Sequence, residues 1–160
     1  MKRYSCGAGL ALAVVAVLGL AGPAAAGDQV PFHGKLEGDV SRAPAPPPFV
    51  LVDIDGSGTA TLLGRFTVDV PHLVDTTTRT AVGSYQFTAA NGDTVYAEFT
   101  GQAHATDVPG VVYIEESATI TGGTGRFAGA TGSFQVERWY DTIAGTTVGS
   151  FEGTISAPGS

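Results

Sequence analysis

Cysteine is almost missing from this chain: among 160 residues the only one is Cys6. It falls in a stretch with a basic start (Lys2, Arg3), an apolar core from Leu10 to Leu20, and the small-residue run Ala24-Ala25-Ala26 before Gly27. That is the layout of a cleavable secretory leader, expected over residues 1–26. Gly22-Pro23 interrupts the apolar run before it reaches the ~20 residues of a membrane span. Cys6 also lacks the small-residue surroundings of a lipoprotein cleavage site. The expected mature chain, residues 27–160, therefore has neither disulfide nor thiol chemistry. A secreted or periplasmic protein of one domain is the expectation.

Positive charge is scarce as well. Lys and Arg total 8 against 15 Asp and Glu, and Lys2 and Arg3 belong to the leader, so the mature balance is 6 against 15, near −9. Such a surface argues against nucleic acid or anionic membrane as a partner. No second apolar run approaches the ~20 residues of a span, so no membrane span is expected in the mature chain. His33, His72 and His104 stand far apart, with none of the close pairs of a zinc site, so no metal centre is expected. Nor is there a G-x-S-x-G nucleophile elbow. A sustained 3.6-residue period is absent too, which leaves no place for a long helix.

What the chain does have is alternation. Thr, Val, Phe and Tyr recur with period two between closely spaced glycines, the pattern of half-buried strands. Eight strands are expected: Val30–Val40, Phe49–Ile54, Thr59–Val70, Arg79–Ala89, Thr94–Ala105, Val111–Thr121, Gly132–Asp141 and Thr146–Ser156. Ala43–Pro48 (APAPPP) reads as a stiff connector, Asp55-Gly56-Ser57-Gly58 as a hairpin turn and Pro71–Thr78 as a polar loop. At Asn91-Gly92 a three-residue loop with Gly92 left-handed pairs Phe87 with Val95 and Tyr85 with Ala97. A two-residue turn would instead send Glu98 to the core face, so the longer loop is preferred. Eight antiparallel strands with short turns imply an all-β, up-and-down antiparallel β-barrel, with a two-sheet sandwich as the alternative.

Three motifs have duller explanations. Gly123-x-Gly125-x-x-x-Gly129 resembles a phosphate cradle, but that chemistry needs a helix behind it, and GSFQVERWYDT continues as a strand. A tight connection whose Phe127 plugs one barrel end explains it better. Asp53-Ile54-Asp55-Gly56-Ser57-Gly58 opens like a calcium loop, yet the twelfth position is Gly64 rather than a carboxylate. That leaves at most weak surface calcium binding. Glu116 and Arg138 are different: both fall at inward positions among apolar neighbours. If the turn joins Thr121 to Ser133, they face one another across the hairpin. A buried pair is weak evidence for stability, so it marks a site for ligand contact or chemistry, or else an ion pair keeping the barrel mouth wet or a bulge that turns Arg138 outward. Tyr85, Phe99 and Tyr140 point to the same lumen and complete the candidate ligand-binding set.

The segment ATITGGTGRFAGATGSFQVE, through Gly122, Gly123, Thr124, Gly125, Phe127, Ala130 and Gly132, resembles the closing hairpin of the allene oxide cyclase and dirigent barrel superfamily. LLGRFTVDV and FTAANGDTVYAEFTG resemble the matching segments of small secreted bacterial proteins of this type. The resemblance implies an eight-stranded barrel, a trimer in many plant members, and apolar substrates handled in the lumen without metal or organic cofactor. It assigns no catalytic residue here. Three functions follow as expectations. The first is a secreted barrel that binds a small apolar molecule or is structural. The second is a cofactor-free isomerase or cyclase in which Glu116 moves a proton and Arg138 steadies negative charge. In the third, a filled barrel works through its Thr-rich acidic outer face.

Overall fold

The structure, a computed structural model, describes residues 27–159. The expected leader, with Cys6, lies outside the described residues. Nine strands follow in order: β1 (Gln29–Pro44), β2 (Phe49–Ala60), β3 (Gly64–Asp69), β4 (His72–Asp75), β5 (Thr80–Ala89), β6 (Thr94–Ala105), β7 (Val111–Gly123), β8 (Gly132–Asp141) and β9 (Thr146–Ser156). One 3-10 turn, Gly125–Phe127, sits between β7 and β8. The pairing runs β1-β9-β8-β7-β6-β5-β3-β2, and β1 pairs with β2 to close the cylinder. β3 and β4 lie end to end and share the same two neighbours, β2 and β5. Together they make one stave, and the result is a closed antiparallel barrel of eight staves. Among the described residues every strand has a neighbour on both sides.

Strand parity sets the interior. Phe32, Phe66, Phe87, Phe134 and Phe151 meet at ring-centroid distances of 5.0–6.2 Å and fill the middle of the barrel. Each such side chain taken from water stabilises the fold by about 1.5–3 kcal/mol before entropy is counted. Phe127 of the 3-10 turn is buried as part of the same core cluster. Arg126 holds that turn in place by donating to the Leu62 carbonyl at 2.7 Å, pairing with Asp93 at 3.3 Å and lying over the Phe127 ring. The glycine-rich segment thus closes one end of the barrel and leads into strand β8 rather than a helix.

The β5–β6 hairpin has the expected register, Phe87 opposite Val95 and Tyr85 opposite Ala97, with Gly92 at φ +88°. Other expectations need correction. No turn forms at Asp55-Gly56-Ser57-Gly58, because β2 runs straight through it, paired on both sides. Gly56 and Gly58 occupy inward positions, where a Cβ on Gly58 would lie 2.0 Å from the Lys35 carbonyl oxygen and 2.7 Å from the tip of Phe66. Close approach, not a left-handed backbone, is what requires glycine there. The chain turns instead at residues 61–63, with Leu62 at φ +66° and Gly64 at φ +65°. Asp53 and Asp55 therefore stand on the outer face of a strand, and the loop that calcium would need is not formed. β1 continues to Pro44, so the first two residues of the proline-rich connector are paired with β2. The segment read as a polar loop from Pro71 contains β4.

Candidate functional site

Above the phenylalanine layer the interior turns polar. Glu116 of β7 and Arg138 of β8 are both buried, at 2% and 3% exposure. They are not directly opposite: Glu116 faces Val136, and Arg138 faces Ile114. The register is displaced by two residues from the expected one. A shift of two keeps every side chain on its own face, so both still reach the lumen and meet diagonally. Arg138 Nη2 donates to Glu116 Oε1 at 2.6 Å and Nε to Oε2 at 3.1 Å, a bidentate pair. Tyr85 donates its hydroxyl to Glu116 Oε2, and Nη1 of Arg138 reaches Thr147 Oγ1 at 3.5 Å.

Glycines make this crowding feasible. Gly101 stands opposite Glu116 and Gly149 opposite Arg138. A Cβ on Gly101 would come within 2.9 Å of Glu116 Cγ, and one on Gly149 within 2.5 Å of Arg138 Cβ. Burial lowers the pKa of Arg138, but the Glu116 carboxylate and its hydrogen bonds outweigh that and hold the guanidinium above its ordinary range. Burial first, then the Glu116 charge, pushes the Tyr85 phenol well above 10.0. Glu116 thus accepts three hydrogen bonds from two partners. Its geometry is that of an anchor for Arg138 rather than of a group free to move a proton.

His72, absent from the expected set, completes the layer. It continues the inward parity of Phe66, Val68 and Val70 past Pro71, and Gly83 opposite makes room for it. Its Nδ1 lies 2.8 Å from the Val70 carbonyl, and its ring packs on Phe99 at 5.7 Å. Phe99 in turn packs on Tyr85 at 5.0 Å. Burial lowers the His72 pKa from 6.5, and the Arg138 charge adds to the same direction against the Val70 carbonyl.

Over this layer opens a cavity of about 180 Å³. Its walls include Val40, Val52, Val74, Ala81, Val112 and Ile114, with His72, Arg138 and Tyr140 among its polar lining and Arg42 and Arg79 also contributing. Of the five expected site residues, Arg138 and Tyr140 line the cavity, whereas Glu116, Tyr85 and Phe99 lie outside its lining and hold Arg138 and His72 in place. Wider depressions of about 580–740 Å³ run along the outer face of β9, β1 and β2, lined largely by exposed polar residues and glycines. They lack the buried, convergent polar groups of the lumen. Among the described residues, no cluster of three or more His, Cys, Asp or Glu side chains could hold a metal ion.

No protein-family profile and no curated protein matches the chain in sequence. Solved structures do match it in shape. One is the pterocarpan synthase dirigent protein PsPTS1, with a TM-score of 0.60 and 11% identity, over 83% of this chain and 97% of that one. Another is the pterocarpan synthase dirigent protein GePTS1, with a TM-score of 0.58 and 14% identity, over 83% and 87%. At such identities the likeness is one of fold: this is a dirigent-like β-barrel.

Proposed function

We propose that the protein is a secreted lumen-binding barrel that takes one small, largely apolar molecule into the cavity above Arg138. The observation that carries this reading is the cavity itself: an apolar wall on a polar layer that the fold holds rigidly. Its volume, about 180 Å³, is below the ~300–1,000 Å³ of sites for drug-sized ligands. The occupant is therefore about one ring in size, or a larger molecule that protrudes from the mouth. The two barrels of like fold are pterocarpan synthase dirigent proteins, and the family resemblance, which implies apolar substrates in the lumen, supports the same use of this one. The phenylalanine layer limits that lumen to its open end.

Native mass spectrometry of the protein purified from its source tests the reading. A retained small molecule is expected, and Ala103→Trp, which fills the cavity from its wall, should abolish it. The same spectrum gives the subunit count, for which the family resemblance suggests a trimer. Retention undiminished by Ala103→Trp would place the molecule elsewhere and remove the lumen from consideration.

A further inference from the structure

We infer that His72 is the proton acceptor of this cavity, acting on a weakly acidic hydroxyl, phenolic or enolic, of an apolar molecule whose oxyanion Arg138 holds. The inference rests on the lumen-binding reading above and assigns it a chemistry. A carbonyl oxygen only accepts, so the 2.8 Å contact between Nδ1 and Val70 fixes the ring proton on Nδ1. The lone pair of the neutral ring is then on Nε2. That atom has no hydrogen-bond partner among the described residues; His72 is 7% exposed and lines the cavity, and since no sealed-in side-chain nitrogen is left unpaired, Nε2 is open to that space. A buried ring with one nitrogen committed and the other free is the arrangement of a general base with an orienting partner.

Arg138 supplies the complementary half. Of the five N–H groups of a guanidinium, three are directed at Glu116 and Thr147; one remains on each of Nη1 and Nη2, and Arg138 lines the cavity. In the step, the ligand's O–H bond breaks and an N–H bond forms at Nε2. The electron pair stays on oxygen, opposite the guanidinium. The charges that act on the ring are Arg138 of β8 and Glu116 of β7 inside the barrel and, more weakly, Asp53 on the outer face of β2, while the Phe99 ring of β6 packs against it. Burial and the Arg138 charge favour the neutral ring over the charged one. Glu116, with its oxygens occupied, is a positioning residue for Arg138.

Nitrogen-15 NMR of the histidine rings tests this, with 4-nitrophenol as the probe because its phenol and phenolate forms absorb differently. In the free protein at about pH 7, His72 should show one protonated nitrogen, Nδ1. On saturation with 4-nitrophenol it should show two, while the bound probe absorbs as phenolate. His72→Gln keeps the cavity, so it should still bind the probe, weakened by up to about tenfold, while the phenolate fraction near pH 6 falls about tenfold, the equivalent of one pKa unit. A ring that carries its proton on Nε2, or is already charged when free, overturns the inference. So does a bound probe that leaves the His72 spectrum unchanged, and in that case lumen binding itself stands. No uptake of the probe by either protein counts against the cavity as a binding site and takes both readings down.

Discussion

Replacing Glu116 by glutamine keeps the shape of the side chain and removes one charge. The amide oxygen still accepts from Tyr85 and can keep one bond to Arg138, but the guanidinium loses its counter-ion in a site where both side chains are nearly inaccessible, at 3% and 0%. Removing one partner of a buried pair costs about 3–5 kcal/mol, because the remaining charge is left uncompensated. Against the ~5–15 kcal/mol of a typical domain, Glu116→Gln should stay folded but lose much of its margin. At about 4 °C per kcal/mol for a domain of this size, the midpoint should fall by ~12–20 °C. Thermal unfolding by circular dichroism, with a urea titration to check that the slope is unchanged, measures it. The triple variant Glu116→Leu, Arg138→Met, Tyr85→Phe removes both charges together with the hydroxyl that would lose its acceptor, and should return to within about 1 kcal/mol of the parent or exceed it. A loss under about 1 kcal/mol in Glu116→Gln would refute the reasoning. It would mean that water entering the cavity solvates Arg138, so that the guanidinium is not held by its partner.

Three further outcomes follow. Gly58→Ala should destabilise by at least ~1–3 kcal/mol, since its Cβ would collide with the Lys35 carbonyl and Phe66; Ser57→Ala, one residue away on the outer face, should be neutral, and equal effects in urea titrations would contradict the continuous β2. His72, with its pKa lowered from 6.5, binds its proton more readily when unfolded. The stability it contributes is present above about 6.5 and lost as pH falls through the lower folded value, at up to ~1.4 kcal/mol per unit. His72→Gln should remove that part of the acid-side loss when melting is compared at about pH 7.5 and 5; an unchanged slope would mean the ring is free to charge in place. Asp39, Asp55 and Asp69 lie side by side on three adjacent strands of the outer face. Asp55→Asn should therefore stabilise by about 0.2–1 kcal/mol at low salt and by nothing at ~1 M salt, as melting midpoints at the two salt levels would show; a gain that persists in salt would have another origin.

The shape of the molecule was largely legible because a barrel of this width enforces strict alternation. Parity alone brought Glu116, Arg138, Tyr85, Phe99 and Tyr140 to the inner side, and the pairing of Phe87 with Val95 followed from keeping apolar faces together. What parity does not encode is the distance a turn consumes. The Glu116–Arg138 register differs by two from the expected one because β7 continues beyond Thr121, which forms a bulge, and pairs Gly122 and Gly123 with β6 before the chain reaches Phe127. Glycine was the other source of error. In Asp55-Gly56-Ser57-Gly58 the residue serves close packing, and in Gly92 it serves a positive φ; the letters are the same in both. Pro71 hid His72 by suggesting a loop, although continuing the count from Phe66 through Val68 and Val70 would have placed it inside.

Because Phe127 and its Arg126 latch seal one end and five phenylalanine rings fill the waist, the protein is a cup and not a tube. Whatever enters must leave by the same opening, past Arg42 and Arg79 on the rim. Nothing can be handed through from one side to the other, and dwell time is governed at that single doorway. Changes to the rim should therefore alter how fast an occupant comes and goes by one common factor, while changes to the floor decide how tightly it is kept.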